Sequence, residues 1–282
     1  MGKALVINVN LCNGCYNCQI VCKDEHVGND WTPIAKPQPD TGQFWTKIEE
    51  ILRGTVPKVK ISYMHHICQH CDEAPCINAC QVKAIYKRDD GIVIIDPEKC
   101  TGSRLCIDAC PYKVIYFNWD LNIAQKCTFC AHLLDKGWKE PRCVDACPTG
   151  AFTFGEEEDL KEQIAKAEIL LPEKKAKPRV YYIGKPKKFI AGAVYDPEAD
   201  ECLEEVKVTL KNSKTGKKFT TNTDNFGDFW FEGLDVGEYA VTIEKDGYYS
   251  RQIASVSTEK DVNLGDIELS KKGSAKLEPV KK

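Results

Sequence analysis

Short apolar runs beside cysteine-rich loops mark the first two thirds of the chain, and they predict brief strands instead of long helices. The predicted strands cover residues 5–9, 91–96, 115–118 and 151–155. The repeating unit is therefore a strand, a cysteine loop, a short helix and a further strand. One amphipathic helix is predicted where Leu160, Ile164, Ala167 and Leu171 fall on one face.

After residue 188 the pattern changes to apolar and polar residues in alternation, divided by turn residues. Seven strands are predicted, over residues 189–195, 206–211, 219–223, 228–232, 239–244, 251–256 and 261–269. The prediction is an α+β protein in which a double ferredoxin-like iron–sulfur domain (1–187) precedes a β-sandwich of immunoglobulin-like or transthyretin-like type (188–270). A charged tail (271–282) ends the chain.

Composition narrows the class of protein. The 282 residues are 43% hydrophobic, which is enough for two domains with their own cores. The formal net charge of −3 argues against a general affinity for nucleic acid or anionic lipid. No apolar run approaches the roughly 20 residues that span a bilayer, and the N-terminus lacks a signal-peptide core. We therefore expect a cytoplasmic protein without direct membrane insertion.

The chemistry lies in four cysteine groups. The first, Cys12-x2-Cys15-x2-Cys18-x3-Cys22, is the ferredoxin run whose fourth cysteine ligates the other cluster of a pair. Three further groups repeat it with changed spacing: Cys68-x2-Cys71-x4-Cys76-x3-Cys80, then Cys100 with Cys106-x3-Cys110, then Cys127-x2-Cys130-x12-Cys143-x3-Cys147. Ser103 stands where the third group should have a cysteine. The groups use fifteen of sixteen cysteines, and we expect Cys202 to be an ordinary buried thiol.

Other uses of the cysteines remain open at this point. A secreted disulfide scaffold is disfavoured because no signal peptide is present. Zinc could use Cys71 with Cys76 or Cys127 with Cys130, although zinc needs no further cysteines at these spacings. His70 and His132, which neighbour cysteines, could donate hydrogen bonds to cluster sulfur. No role is predicted for His26, His65 or His66.

The four groups in this order, with Phe44-Trp45, the stretch Cys68-Gln69-His70-Cys71-Asp72-Glu73-Ala74-Pro75-Cys76 and residues 178–182, resemble the iron–sulfur subunits of dimethyl sulfoxide reductase-family molybdopterin oxidoreductases. The resemblance covers about residues 1–187. It implies that the first group pairs with the fourth, and the second with the third. Residues 223–231, 237–242 and 247–248 separately resemble the carboxypeptidase regulatory-like module.

The family pairing implies four metal sites. Site I is Cys12, Cys15, Cys18 and Cys147, and site II is Cys22, Cys127, Cys130 and Cys143. Site III is Cys68, Cys71, Cys76 and Cys110. Site IV, the most distal, has only Cys80, Cys100 and Cys106 beside Ser103. The resemblance therefore implies three [4Fe-4S] clusters and a fourth site that is altered or empty.

The same resemblance implies a large catalytic subunit that carries molybdenum on two molybdopterin guanine dinucleotides, while this chain supplies no catalytic residue. Two other functions fit the cysteine pattern. One is an electron-transfer subunit of a respiratory molybdenum reductase, and the other is a free-standing ferredoxin.

Overall fold

The computed structural model describes residues 2–273, which form two compact units. The first comprises the chain up to Ile51 and Ser62–Lys185, and the second comprises Leu52–Ile61 and the chain from Pro186 onward. Within residues 2–273 no helix has the length and apolar character needed to cross a bilayer. The predicted charged tail lies outside the described residues, apart from residues 271–273.

Short elements alternate along the first part of the chain. In order they are β1 Lys3–Asn8, a 3-10 turn Val9–Leu11, α1 Asn17–Val27, β2 Thr46–Thr55, β3 Lys58–Ile67, α2 Pro75–Ala79, β4 Ile85–Lys87, β5 Val93–Ile95 and α3 Leu105–Ala109. There follow β6 Tyr116–Asn118, β7 Ile123–Gln125, α4 Ala131–Leu134, α5 Arg142–Asp145, β8 Phe152–Glu156, α6 Lys161–Ile164, a 3-10 turn Pro172–Lys174 and β9 Val180–Ile183.

The first and the last strand of the first unit, β1 and β9, belong to one three-stranded sheet. Strand β1 lies in its centre, antiparallel to β8 and parallel to β9. Both faces of β1 are covered: Leu5 and Ile7 join the main core, whereas Ala4 and Val6 pack with Leu160 in a smaller cluster. This double burial explains the uninterrupted apolar run of β1, since a strand with one solvent face would alternate. Most cysteines belong to the main core.

Three two-stranded ribbons complete the first part of the chain: β2 with β3, β4 with β5, and β6 with β7. No strand is predicted from the sequence within 46–67, yet β2 and β3 have ten residues each. The tip of this hairpin, Leu52–Ile61, belongs to the second unit. There Arg53 pairs with Asp261 at 3.0 Å and lies over the Phe189 ring.

The amphipathic helix predicted around Leu160–Leu171 is wrong in length, because α6 ends at Ile164. After Ile164 the chain is no longer helical, and Glu168 exchanges two backbone hydrogen bonds with Tyr182, each 2.8 Å long. Leu171 then has φ 47°, a left-handed conformation before Pro172. The α conformation is disfavoured for a residue that precedes proline, so a helix cannot continue through Leu171.

The second unit is a β-sandwich of two four-stranded sheets. Its strands are β10 Lys188–Asp196, β11 Glu201–Cys202, β12 Lys207–Asn212, β13 Lys218–Asn222, β14 Asp228–Leu234, β15 Glu238–Glu244, β16 Arg251–Ser257 and β17 Val262–Glu268. In one sheet β10 pairs with β11, β14 and β17, and the other has the order β13-β12-β15-β16. Inward residues such as Val208, Val241 and Phe229 form the core.

Seven of these strands correspond to predicted ones, and the two-residue β11 is an additional strand. The prediction for Cys202 is wrong, because its side chain is exposed. Cys202 lies in β11, which pairs only Tyr195 and Asp196 at the end of β10. A strand this short at a sheet edge has no face toward the core, so its thiol meets solvent.

Candidate metal centre

Site I is assembled from the loop after β1 and the end of α5. Cys12 follows the 3-10 turn, and Cys18 lies in the first turn of α1. The Asn17 side chain donates a hydrogen bond to the carbonyl of Ala146 at 2.5 Å, which fixes Cys18 near Cys147. Burial, followed by the charges of Cys12 and Cys147, raises the pKa of Cys18 to about 12.

Gly14 shapes the loop of site I. Its φ of +71° is left-handed, and a Cβ built there would come within 2.3 Å of the Tyr63 ring. A side chain at position 14 would therefore both strain the backbone and displace Tyr63. The loop that carries Cys12 and Cys15 consequently packs closely on strand β3.

Site II draws on α1, the loop before α4, and α5. Cys22 lies one turn after Cys18 on α1, so the helix contributes sulfur to two neighbouring sites. Burial raises the pKa of Cys143 well above its ordinary value, and the charges of Cys130, Cys127 and Cys22 raise it further. Helices α1 and α5, which carry Cys22 and Cys143, pack against each other.

Site III surrounds a small pocket lined by Cys68, Cys71, Cys76 and Cys110. Cys68 and Cys71 follow β3, Cys76 lies in α2, and Cys110 ends α3. His70, Val93 and Tyr112 also line the pocket. Burial and the charge of Cys68 raise the pKa of Cys71 and of Cys76 to about 12 each.

Site IV surrounds a second small pocket, lined by Cys80, Cys100, Cys106 and Ser103. Two of its sulfurs accept backbone hydrogen bonds. The Ala84 N–H donates to Cys80 Sγ at 3.2 Å, and the Ala124 N–H donates to Cys100 Sγ at 3.5 Å. Such N–H donors stabilise a thiolate. The pocket offers one thiol fewer than that of site III.

The structure brings together the four sets that the family resemblance implies, although the role of these residues as cluster ligands stays a prediction. At sites III and IV the cysteines line a pocket. Within residues 2–273, no three or more Cys, His, Asp or Glu side chains are close enough to hold a single metal ion. A pocket lined by several thiols can accept a multi-atom cluster, whose irons each take one sulfur.

Burial raises the pKa of most of these thiols, so as isolated groups they would stay protonated. Cys147 is different. Burial raises its pKa, but hydrogen bonds from the Thr149 hydroxyl and from the Thr149, Ala151 and Phe152 N–H groups together lower it by more. The net shift in pKa is therefore downward. Iron supplies the positive charge that the other buried thiolates need, so the donor set fits iron–sulfur clusters.

Two histidines without a predicted role lie against cysteine sulfur. His65 Nε2 is 3.7 Å from Cys12 Sγ, and His26 Nε2 is 4.0 Å from Cys130 Sγ. Both rings are 1% exposed, and burial lowers the pKa of His65 to about 4 and that of His26 to about 3. Both are therefore neutral near pH 7. The alternation of residues along β3 could have predicted that His65 faces inward. It could not have predicted the contact with Cys12, which lies 53 residues away in the sequence.

The two histidines expected to serve the clusters differ from each other. His70 lines site III, and its Nδ1 accepts the Val93 N–H at 3.0 Å while Nε2 has no protein partner. His132 instead pairs with Glu25 at 3.0 Å and stacks on Trp31. No hydrogen bond joins His132 to a cysteine among the described residues, so its predicted contact with sulfur is not found.

Site I reaches the surface of the first unit. Cys15 is exposed, and Cys12 and Cys147 are half-buried. Two apolar side chains of the same loop and helix face solvent, with Leu11 48% and Ile20 61% exposed. The cysteines of sites II and III, by contrast, are buried.

Two family models match parts of the sequence. Residues 59–157 match a 4Fe-4S dicluster domain, and residues 190–270 match a carboxypeptidase regulatory-like domain. The first match covers sites III and IV, three of the four site II cysteines and Cys147 of site I. The second covers most of the β-sandwich, in agreement with the predicted module.

Known proteins resemble the chain over most of its length. It is 41% identical over 279 residues to the pyrogallol hydroxytransferase small subunit of Pelobacter acidigallici, which covers 94% of this chain and 98% of that protein. It is 35% identical to a protein of Halobacterium salinarum described as a dimethyl sulfoxide reductase iron–sulfur subunit, over 64% of this chain and 78% of the relative. A component of the polysulfide reductase of Wolinella succinogenes is 33% identical, over 66% and 92% respectively.

Proposed function

Because this protein belongs to the iron–sulfur subunits of the dimethyl sulfoxide reductase family of molybdenum enzymes, we propose that it is the small subunit of a hydroxytransferase that acts on phenols. The reaction would convert pyrogallol to phloroglucinol on a large subunit. The observation that carries the proposal is the 41% identity to a pyrogallol hydroxytransferase small subunit over 94% of this chain. That length extends across both units, whereas the reductase subunits cover about two thirds of the chain.

In this proposal sites I, II and III hold [4Fe-4S] clusters. The clusters supply one-electron chemistry, and the chain provides their ligands and surroundings. The twelve ligands are Cys12, Cys15, Cys18 and Cys147 at site I, Cys22, Cys127, Cys130 and Cys143 at site II, and Cys68, Cys71, Cys76 and Cys110 at site III. Site IV, with Cys80, Cys100, Cys106 and Ser103, is altered or empty, because a serine hydroxyl is a harder and far less acidic ligand than a thiol.

The partner is a large catalytic subunit with molybdenum on two molybdopterin guanine dinucleotides. We place its contact at the exposed side of site I, where Cys15, Leu11 and Ile20 face solvent. Large apolar side chains beside a half-exposed metal site favour burial by a partner. The β-sandwich has no catalytic group in this proposal and acts in docking or stabilisation.

Hydroxyl transfer between two phenols is redox-neutral overall, which gives the clusters a different task from those of a respiratory reductase. No electron has to leave the complex at each turnover. We therefore assign the clusters to setting and restoring the oxidation state of molybdenum and to holding the complex together.

The test is to purify the chain with its large partner and measure molybdenum, iron, acid-labile sulfide and activity on pyrogallol. Formation of phloroglucinol, followed by chromatography, is the expected result. Co-purification with a molybdenum subunit that reduces an oxyanion or polysulfide, without hydroxyl transfer, would instead support the respiratory reductase. Isolation without molybdenum and without a partner would support a free-standing ferredoxin.

A further inference from the structure

Lys126 is a buried cation without an ion-pair partner. Its side chain is 2% exposed, yet no carboxylate lies within ion-pair distance of it among the described residues. The Nζ atom instead donates hydrogen bonds to two backbone carbonyls, those of Val93 and of Cys127, the second at 3.0 Å. Two neutral carbonyls do not balance a full charge that has been removed from water.

The surroundings of Lys126 place it beside two metal sites. On one side it bonds the carbonyl of Cys127, a site II residue. On the other side it bonds Val93, whose N–H donates to His70, and both residues line site III.

The structure assigns to Lys126 the role of a fixed positive charge shared by sites II and III. A [4Fe-4S] cluster with four thiolate ligands is an anion, and it becomes more negative on reduction. A nearby ammonium therefore stabilises the reduced form and raises the reduction potential. Lys126 therefore influences where electrons reside, because its charge favours the reduced state of the clusters at sites II and III, in the middle of the series.

This inference rests on the proposed function only in that sites II and III must hold clusters. The cluster potentials can be measured whether or not the complex transfers hydroxyl groups. Failure of the phenol reaction and failure of the Lys126 assignment are therefore separate results.

The experiment is a redox titration of the purified two-subunit complex, followed by electron paramagnetic resonance, with Lys126→Gln and Lys126→Met. Glutamine keeps an N–H donor without the charge, and methionine removes both. In each variant the reduction equilibrium constant at sites II and III should fall about tenfold, which is 59 mV for one electron, while site I is unchanged. A Cys147→Ala variant identifies the site I signal.

Lys87→Met is the matched control. Lys87 also donates to a ligand carbonyl, that of Cys71 at 3.1 Å, but it pairs with Asp72 and its side chain is 26% exposed. Solvent screens its charge, so this change should shift site III less than twofold and leave site II alone.

Three results would overturn the assignment. The first is unchanged potentials at sites II and III in both neutral variants. The second is a shift in Lys126→Met without one in Lys126→Gln, since the hydrogen bonds would then matter and the charge would not. The third result applies if neither neutral variant retains the clusters. It is that Lys126→Arg, which keeps the positive charge, also fails to retain them.

Discussion

The imidazole Nε2 atom of His65 lies 3.7 Å from the Sγ atom of Cys12, and nothing else among the described residues bonds to the His65 ring. Alternation along β3 separates His65 from its neighbour His66. His65 is 1% exposed and packs edge-on against Phe152, whereas His66 pairs with Glu49 at 2.6 Å on the solvent side. When Cys12 binds iron as a thiolate, the neutral ring can donate Nε2–H to it.

The first prediction follows from that contact. A hydrogen bond to a thiolate ligand stabilises the reduced cluster, so His65→Phe should lower the potential of the site I cluster by roughly 40 mV, the equivalent of about 1 kcal/mol. Redox titration by magnetic resonance measures the shift. His66→Phe, on the opposite face of the same strand, should leave the potential unchanged. An equal shift in both variants would show that the hydrogen bond is not the cause.

A second prediction concerns the crossed pairing of distant cysteines. Cys147→Ala should remove or damage the cluster of site I, although Cys147 is far along the chain from Cys12, Cys15 and Cys18. Asn17 and Ala146 hold the two segments together, so the backbone should persist. Magnetic resonance should show the loss of one signal, and iron should fall by up to about four per chain. Loss of the site II cluster with site I intact would refute the pairing.

The groups of cysteines were predictable from sequence because their spacing along each loop is local. The contacts of His65 with Cys12 and of His26 with Cys130 were not, because they join residues 53 and 104 positions apart. Local periodicity also failed beyond Ile164, where α6 ends and Glu168 pairs with Tyr182 instead of continuing the helix. The sandwich strands were predictable because each alternates independently, but the exposure of Cys202 depends on where the sheet ends.

The third prediction concerns the ion pair at the hairpin tip within the second unit. The Asp261 carboxylate accepts from Arg53 and from the Phe189 N–H, both at 3.0 Å, and the two charged side chains are 15% and 8% exposed. Asp261→Asn would leave the Arg53 charge without its partner. We expect a loss of about 1–3 kcal/mol in local stability, seen as faster amide hydrogen exchange in β10 and β17 of the full chain.

Asp235→Asn is the control for this prediction. Asp235 lies 4.0 Å from Lys187 and its side chain is 87% exposed, so the pair contributes little. Exchange in β10 should therefore stay within about twofold of the wild-type rate, corresponding to less than about 0.5 kcal/mol. If Asp261→Asn behaves in the same way, the buried pair does not stabilise the hairpin tip.

The fourth prediction concerns the metal content of site IV. Three thiols and the Ser103 hydroxyl line the pocket of site IV, whereas four thiols line the pocket of site III. The wild-type chain should contain three ordinary [4Fe-4S] clusters, and Ser103→Cys should add up to about four irons at site IV. Iron and sulfide near sixteen each in the wild type would contradict an empty site.

The last prediction concerns what the clusters do during turnover. In a respiratory reductase electrons pass outward through every cluster, so the distal site must work. In a hydroxyl transfer all electrons stay within the catalytic subunit, so an incomplete site IV would not slow turnover. The purified complex should therefore convert pyrogallol, given a phenolic hydroxyl donor, without any redox dye. Ser103→Cys should leave the rate within about twofold of wild type, a difference in activation free energy below about 0.4 kcal/mol, even when the fourth cluster forms. Strict dependence on stoichiometric dye, or a large gain in rate on restoring site IV, would show that electrons leave through the distal end.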